Sequence, residues 1–278
     1  MDKQQFLARH LLADIEDPRV VLPPQRAGHN LSIDPSWKGR LARIVRRLVP
    51  RPDMVYMRRR ERQLVPRFLE RVAEGGNADA FVLNVGSGNK PYGPTCINLD
   101  IFEAQHVDVV SPSHRIPFPD AVFAGVMSLA VLEHVPDDRP VLAECARVLK
   151  PGGLCLHAVP FIQGFHAVPD DYRRYTLHGL REVLSADFEE IESGVLLGPA
   201  SALAWILREF FATLTAGRSV LLYNAGMLFY GWLFWPLKFL DVVLMRSPFA
   251  PQIASGVYFL GRRRTGASVA QPGNTRPA

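Results

Sequence analysis

The chain is poor in cysteine. Its three thiols, Cys96, Cys145 and Cys155, all fall inside apolar strand or helix patterns. Their spacing suits neither a disulfide framework nor a metal centre, so they read as buried free thiols of a reducing compartment, and no metal is expected. An apolar leader core is also missing: MDKQQFLARH opens the chain with charges and amides, so the expected location faces the cytosol. There are no internal repeats, which sets aside repeat architectures. The three-glycine dinucleotide fingerprint is incomplete, because Pro91 stands where its third glycine belongs, and a nicotinamide dehydrogenase therefore fits poorly.

What is present is a chain of 278 residues, 48% of them apolar, enough for one sizeable core with an appendage. The net charge is +5 and unevenly spread. Between Lys38 and Arg71 twelve Lys or Arg face only Asp53, Glu61 and Glu70. Such a block suits anionic lipid or nucleic acid, or it is a solvated helix face. Residues 1–80 read as a basic helical extension broken by prolines. Within it Trp37, Leu41, Ile44, Val45 and Leu48 recur at helical spacing among arginines, the pattern of a helix that lies at a membrane interface or packs on a domain. A second helix is predicted over Met54–Glu74.

The stretch Phe81–Asp100, FVLNVGSGNKPYGPTCINLD, organises the rest. Phe81–Val85 is a short apolar run of the parallel-sheet kind, and it breaks into Gly86-Ser87-Gly88. Glycines there let the backbone turn tightly and approach a ligand. A second run, Cys96–Leu99, delivers Asp100 at its end. Ligands of open α/β sheets sit beyond the carboxyl ends of strands, so this glycine turn and acid would hold an adenosine, the acid accepting from the ribose hydroxyls. Only ten residues, interrupted by Pro91, Gly93 and Pro94, join these strands, so the first crossover must be a loop or single turn.

Strand and helix patterns then alternate, which argues for a mostly parallel sheet with helices on its faces. Strands are predicted at 107–110, 123–128, 154–159, 188–196 and 256–260. Helices are predicted from the Asp137/Asp138 cap to Lys150-Pro151-Gly152-Gly153, and from Thr176 to about Ser185.

In their order and spacing, VLNVGSG (82–88), INLD (97–100), RIPFPDAVF (115–123), LAVLEHV (129–135) and RVLKPGG (147–153) resemble the class I S-adenosylmethionine-dependent methyltransferases. Together with PDDYRRYT (169–176), they look like the bacterial subgroup with a short first crossover that is associated with cell-envelope glycans. The resemblance implies an α/β, Rossmann-like seven-stranded sheet with its last strand antiparallel, formed by 81–198 and 251–264, and a disordered tail at 265–278. It implies S-adenosylmethionine as cofactor, with Asn84, Gly86, Ser87, Gly88 and Asp100 on its methionine and ribose. His114 and Arg115 would lie by the adenine, and Leu132, Glu133 and His134 along the open side. Two departures stand out: Asn84 and Pro112 occupy positions where the family usually has an acid. Asn84 still offers an amide oxygen; Pro112 offers no side-chain acceptor. A lost charged hydrogen bond is worth roughly 1.5–3 kcal/mol, so binding would weaken rather than vanish.

Methyl transfer requires alignment, exclusion of water and, for a hydroxyl acceptor, a base. His166, Asp170 and Tyr172 are the candidate catalytic residues at the acceptor side; His166 could equally bind substrate or be a loop residue. Arg173 and Arg174 would bind an anionic acceptor or pair with nearby acids. Where the family needs a tight connection between strands six and seven, residues 199–250 form an apolar helical insertion. SALAWILREFFATL (201–214) carries two charges, and VLLYNAGMLFYGWLFWPL (220–237) carries none. At 1.5 Å per residue the latter reaches about 27 Å, nearly a bilayer core. A single span is excluded because both strands join one sheet, and Pro236, Lys238 and Asp241 disfavour a clean second span. Interfacial insertion is expected, with Trp205, Tyr223, Tyr230, Trp232 and Trp235 as interface aromatics; a buried lid or dimer interface is the alternative.

The expected protein is thus a methyltransferase acting on an oxygen of a lipid-linked glycan precursor or another amphiphilic metabolite, peripheral or monotopic on the inner face of the membrane, its arginines on anionic lipid. The alternatives are an inactive membrane adaptor of the same fold, favoured by Asn84 and Pro112, and a nucleic-acid methyltransferase, in which the insertion has no place.

Overall fold

The computed structural model describes residues 1–12, 57–75, 80–167 and 169–265. Seven strands form one sheet: β1 (Val82–Val85), β2 (Cys96–Asp100), β3 (Val109–Val110), β4 (Phe123–Leu129), β5 (Leu149–Pro160), β6 (Phe188–Leu197) and β7 (Gly256–Arg263). They lie in the order β3-β2-β1-β4-β5-β7-β6. The pairs from β3 to β5 are parallel, and β7 runs antiparallel to both β5 and β6. This is the Rossmann-like arrangement that the alternating patterns and the resemblance imply.

β1 and β2 are buried along their whole lengths, which is why they read as unbroken apolar runs. They pair directly although residues 86–95 contain no helix. Side chains pin this short crossover instead: Asn98 Nδ2 donates to the Lys90 carbonyl (3.2 Å), and Asn89 Oδ1 accepts from the His106 amide (3.0 Å).

The helices are α1 (Lys3–His10), α2 (Met57–Glu74), α3 (Arg139–Val148), α4 (Leu177–Leu184), α5 (Pro199–Ala216), α6 (Val220–Phe234) and α7 (Asp241–Leu244). One face of the sheet is covered by Phe6 of α1 together with α3 and α4; the other by Leu64, Val65, Phe68 and Val72 of α2. Asp2 and Gln5 cap α1 reciprocally, and Phe6 stacks on Phe81 with ring centroids 4.0 Å apart. The described helices of the basic extension are therefore layers of the domain. The predicted helix at Trp37–Val49 lies outside the described residues, as does the tail beyond 265.

Two boundaries differ from expectation. β5 begins at Leu149, because Leu149 pairs with Phe123 ahead of an irregularity, and Gly152 takes a left-handed φ of 75° there. β3 keeps only two residues, since Asp108 instead accepts from the Asn98 amide (2.8 Å). All three cysteines are buried and free; burial pushes Cys96 and Cys145 each up to about 12 and also raises Cys155 well above the ordinary thiol value, so none is a nucleophile.

The insertion is a helical hairpin. α5 and α6 run antiparallel across a turn at 217–219, and at Gly226 an added Cβ would lie 3.2 Å from Ala212 Cα. Asp241 does not merely interrupt an apolar run: it is buried, and its carboxylate accepts from the Ala200 amide (2.8 Å), the Ser201 amide (3.0 Å) and Ser201 Oγ (2.6 Å). A charge from the end of the insertion thus caps the first turn of α5 and satisfies its free N–H groups. The opposite surface is apolar and open, with Leu203, Phe210, Leu214, Leu221, Phe229 and Leu233 each more than half exposed. Among the described residues, Val220–Leu244 is the one helical segment long and apolar enough to cross a membrane.

Candidate active site

β1 has β2 on one side and β4 on the other, so the chain leaves in opposite directions from these neighbours. Such a switch point opens a crevice beyond the carboxyl ends of the two strands. Here its walls are the glycine turn after β1 and the loop after β4.

In the first wall Gly86 and Gly88 both take left-handed φ, 65° and 56°. A Cβ on Gly86 would overlap the Val131 side chain, so this glycine lets the loop after β4 close onto the turn. A Cβ on Gly88 would meet nothing within 4 Å: the backbone there faces open space. Asp100 Oδ2 accepts from the Gly88 amide (2.7 Å) and Oδ1 from the Phe102 amide (3.0 Å), while the Ser87 amide donates to the Leu99 carbonyl (3.0 Å). Each Asp100 oxygen keeps a lone pair for a further donor. Asn84 is buried below this turn and donates through Nδ2 to Asn98 Oδ1 (3.0 Å), so the amide that replaces the family's acid has a structural partner on β2. Pro112 sits in a closed turn: its carbonyl accepts from the Arg115 amide (3.0 Å), and Ser111 Oγ donates to the Arg115 carbonyl (2.7 Å). The His114 and Arg115 side chains are exposed beyond β3.

The second wall begins with Ala130, a non-glycine residue at φ 58°, and continues into the 3-10 turn Leu132–His134. Left-handed strain of this kind gathers at functional sites. Leu132 and Glu133 are fully buried. The segment 169–176 is stapled to this turn: His134 Nδ1 donates to the Asp170 carbonyl (2.5 Å), and the Tyr172 amide donates to the Glu133 carbonyl (2.8 Å). On the loop after β5, the His166 amide donates to Asp171 Oδ2 (2.8 Å), and its ring Nδ1 lies 3.0 Å from the Gly164 carbonyl and 3.3 Å from Arg174 Nη2. The Nε2 atoms of His134 and His166 then face Glu133 Oε1 at 3.7 and 3.9 Å. The Glu133 carboxylate raises His166 above its ordinary value, although partial burial opposes this.

The structure thus brings Gly86, Ser87, Gly88 and Asp100 together on one side, and Leu132, Glu133, His134 and His166 on the other. Asp170 and Tyr172 stand at the rim: both are exposed, Tyr172 donates to Asp170 Oδ2 (3.3 Å), and Asp170 reaches the site only through its carbonyl. Of the two readings open for Arg173 and Arg174, the contacts show pairing with nearby acids. Arg174 donates to both oxygens of Asp171, which it holds down at about 2, and Arg173 pairs with Asp138 (3.1 Å) and the Pro136 carbonyl. Their charges are spent on fixing the loop.

Trp205, on α5, is a site residue that the sequence read only as an interface aromatic. Its ring lies 5.7 Å from that of His166, its buried Nε1 has no hydrogen-bond partner among the described residues, and a Cβ on Gly164 would come within 2.7 Å of that nitrogen. No spacing rule links residues 166 and 205; the hairpin's docking brings them together.

Residues 93–157 match the family model described as a methyltransferase domain. A demethylmenaquinone methyltransferase of Anoxybacillus flavithermus is 37% identical over 90 residues, covering 31% of this chain and 38% of that one. The ubiquinone/menaquinone biosynthesis C-methyltransferase UbiE of Desulfotalea psychrophila is 36% identical over 90 residues, 31% of this chain and 37% of that one. The matched stretch thus spans little more than a third of these curated relatives. Among solved structures, a 1,6-didemethyltoxoflavin-N1-methyltransferase of Burkholderia thailandensis aligns with 82% of this chain and 87% of its own at 16% identity and a TM-score of 0.46. Over residues 93–157 the chain is thus similar to methyltransferase domains, for which the sequence resemblance implies S-adenosylmethionine as cofactor.

The residues present fit that cofactor. The open space over Gly88 is a cradle that a side chain would fill, and Asp100 is a buried carboxylate with acceptor capacity left, at the end of the strand beside it. Gly86, Ser87, Gly88 and Asp100 would hold S-adenosylmethionine, which when bound supplies a methyl group on a sulfonium.

Proposed function

We propose that the protein methylates an amphiphilic acceptor at a membrane surface. The observation that supports this reading is the position of the apolar hairpin: its outer face exposes Leu203, Phe210, Leu214, Leu221, Phe229 and Leu233, and at its root the Trp205 ring lies 5.7 Å from that of His166. A patch of this size marks a docking surface, and aromatic-rich apolar helices favour the interface of a bilayer. An acceptor with a long apolar tail could stay in the lipid while its head group enters between Trp205 and the glycine turn.

In this reading the chain's own residues align the acceptor, exclude water and handle its proton. Leu132 and Trp205 supply apolar walls. The cluster of Glu133, His134 and His166 is what the crevice offers for the proton of an attacking hydroxyl. The head group is proposed to be a lipid-linked glycan precursor methylated on oxygen. The quinone names of the relatives point to the other amphiphilic class, an aromatic ring methylated on carbon.

The test is incubation with S-adenosylmethionine labelled in its methyl group and total membrane lipid. Label moving into the organic phase, and lost in Asp100→Ala, is the expected result; label only in water-soluble products would overturn the reading. Hydriodic acid then separates the head groups, since it releases an O-methyl as methyl iodide and leaves a C-methyl in place. Co-sedimentation with anionic vesicles, lost on deleting 200–250, tests the membrane arm independently.

A further inference from the structure

Glu133 is the least expected group in the molecule. It is fully buried, and among the described residues neither of its carboxylate oxygens has a hydrogen-bond partner. A buried carboxylate left bare costs several kcal/mol, and native structures rarely tolerate one without a bound ion or water. Two imidazoles face it. His134 places Nδ1 against the Asp170 carbonyl, and His166 places Nδ1 between the Gly164 carbonyl (3.0 Å) and Arg174 Nη2 (3.3 Å); with the proton on Nδ1 of each ring, both Nε2 lone pairs are free to ligate. Both lone pairs lie beside the same oxygen, Glu133 Oε1, and the three donor atoms are within 4.8 Å of one another.

From this we infer that Glu133, His134 and His166 form a binding site for a divalent cation of the zinc class. Imidazole nitrogens with their far N–H held by carbonyl oxygens, around one carboxylate, are the donor set and outer shell that such ions take. Donors about 2.1 Å from a common centre stand roughly 3–3.5 Å apart, so the observed 3.7 and 3.9 Å close by small side-chain rotations. Charge favours it as well. Arg174, which feels the Glu133 charge, is bound to both oxygens of Asp171 and reaches His166 on its Nδ1 side, so it makes no ion pair with Glu133. Three protein ligands leave a coordination position open for a further donor.

The site deepens the proposed function and rests on it for its role. An acceptor hydroxyl coordinated at the open position would lose its proton to solvent at the His166 edge, which is 26% exposed. The oxygen–methyl bond then forms as the sulfur–methyl bond breaks, with that electron pair returning to sulfur. The ion supplies the stabilised oxyanion, so no side chain need act as a base.

Cobalt(II) is the probe, added to the full chain after chelator treatment, with visible ligand-field absorption and calorimetry as readouts. The expected result is one equivalent bound, with an absorption band of low-symmetry nitrogen and oxygen ligation. Glu133→Gln and His166→Asn should each weaken binding more than about tenfold, and His166→Asn should leave S-adenosylhomocysteine affinity within about twofold. His166→Asn is the safeguard if the buried Glu133→Gln variant does not fold, since His166 is partly exposed. Absence of a band, or binding that both variants leave unchanged, would overturn the site. Metal binding with no lipid methylation would leave the site standing and remove the proposed acceptor; lipid methylation indifferent to chelation would do the reverse.

Discussion

Gly88→Ala separates the cofactor cradle from the fold that carries it. The added methyl group meets no protein atom within 4 Å, so its cost in the ligand-free protein is only that of holding alanine at φ 56°. That strain is about 1–2 kcal/mol, a fall of a few degrees in Tm for a domain of this size. The strain is the same with and without ligand and cancels from the binding equilibrium. What remains is the overlap between the methyl group and a ligand lying over the glycine, about 1–3 kcal/mol by analogy with overpacked cores. S-adenosylhomocysteine affinity should therefore drop between about fivefold and 150-fold while the protein stays folded. Gly86→Ala is the contrast, since its methyl group collides with Val131 inside the protein and should lower Tm more steeply. Calorimetric titration of both variants, with thermal melts, reads the two effects apart. If Gly88→Ala binds S-adenosylhomocysteine within twofold of the wild type, the ligand does not approach that backbone and the cradle assignment is wrong.

His157 is fully buried on β5, held at Nδ1 by Ser128 Oγ (2.8 Å), and burial lowers it to about 4. The unfolded chain binds that proton near pH 6.5 and the folded one does not, so stability falls as pH drops from 6.5 towards 4. The loss should be about 1.5 kcal/mol between about pH 6.5 and 5; urea melts across that range check it, and a slope that His157→Gln leaves unchanged would count against the assignment. Arg147 donates to Glu144 (2.6 and 2.8 Å), Asp120 (2.8 Å) and the carbonyls of Ile116 (2.9 Å) and Phe118 (2.8 Å). Arg147→Met should cost about 2–3 kcal/mol, measured by urea denaturation; a loss under about 0.5 kcal/mol would show the network to be ornamental. Leu221→Ser with Phe229→Ser, both on the exposed face of α6, should leave Tm within a few degrees and cut vesicle co-sedimentation severalfold. Unchanged co-sedimentation would mean that this face does not meet lipid.

Much of the architecture is local and therefore legible in one dimension. Phe81–Val85 and Cys96–Leu99 are unbroken apolar runs because a central parallel strand buries both faces. The prolines and glycines between them forbid a helix, so the short crossover follows from covalent geometry alone. The glycine turn and Asp100 are legible for the same reason: twelve to fourteen residues separate them, and parallel pairing of adjacent strands brings their ends together. Charge partners obey no such rule. Arg174 and Asp171 could have offered a free cation to an acceptor; the loop's path closed them into a pair. Asp241 looked like a break in an apolar run and instead caps a helix forty residues upstream, because the hairpin folds back on its own root. The cluster of Glu133, His134 and His166 depends on two loops from different strands meeting, and on which backbone carbonyl each ring finds. Sequence fixes a pattern wherever burial repeats with the period of a strand or helix. Only the tertiary structure decides where polar side chains converge, because that convergence is set by loop trajectories that have no period.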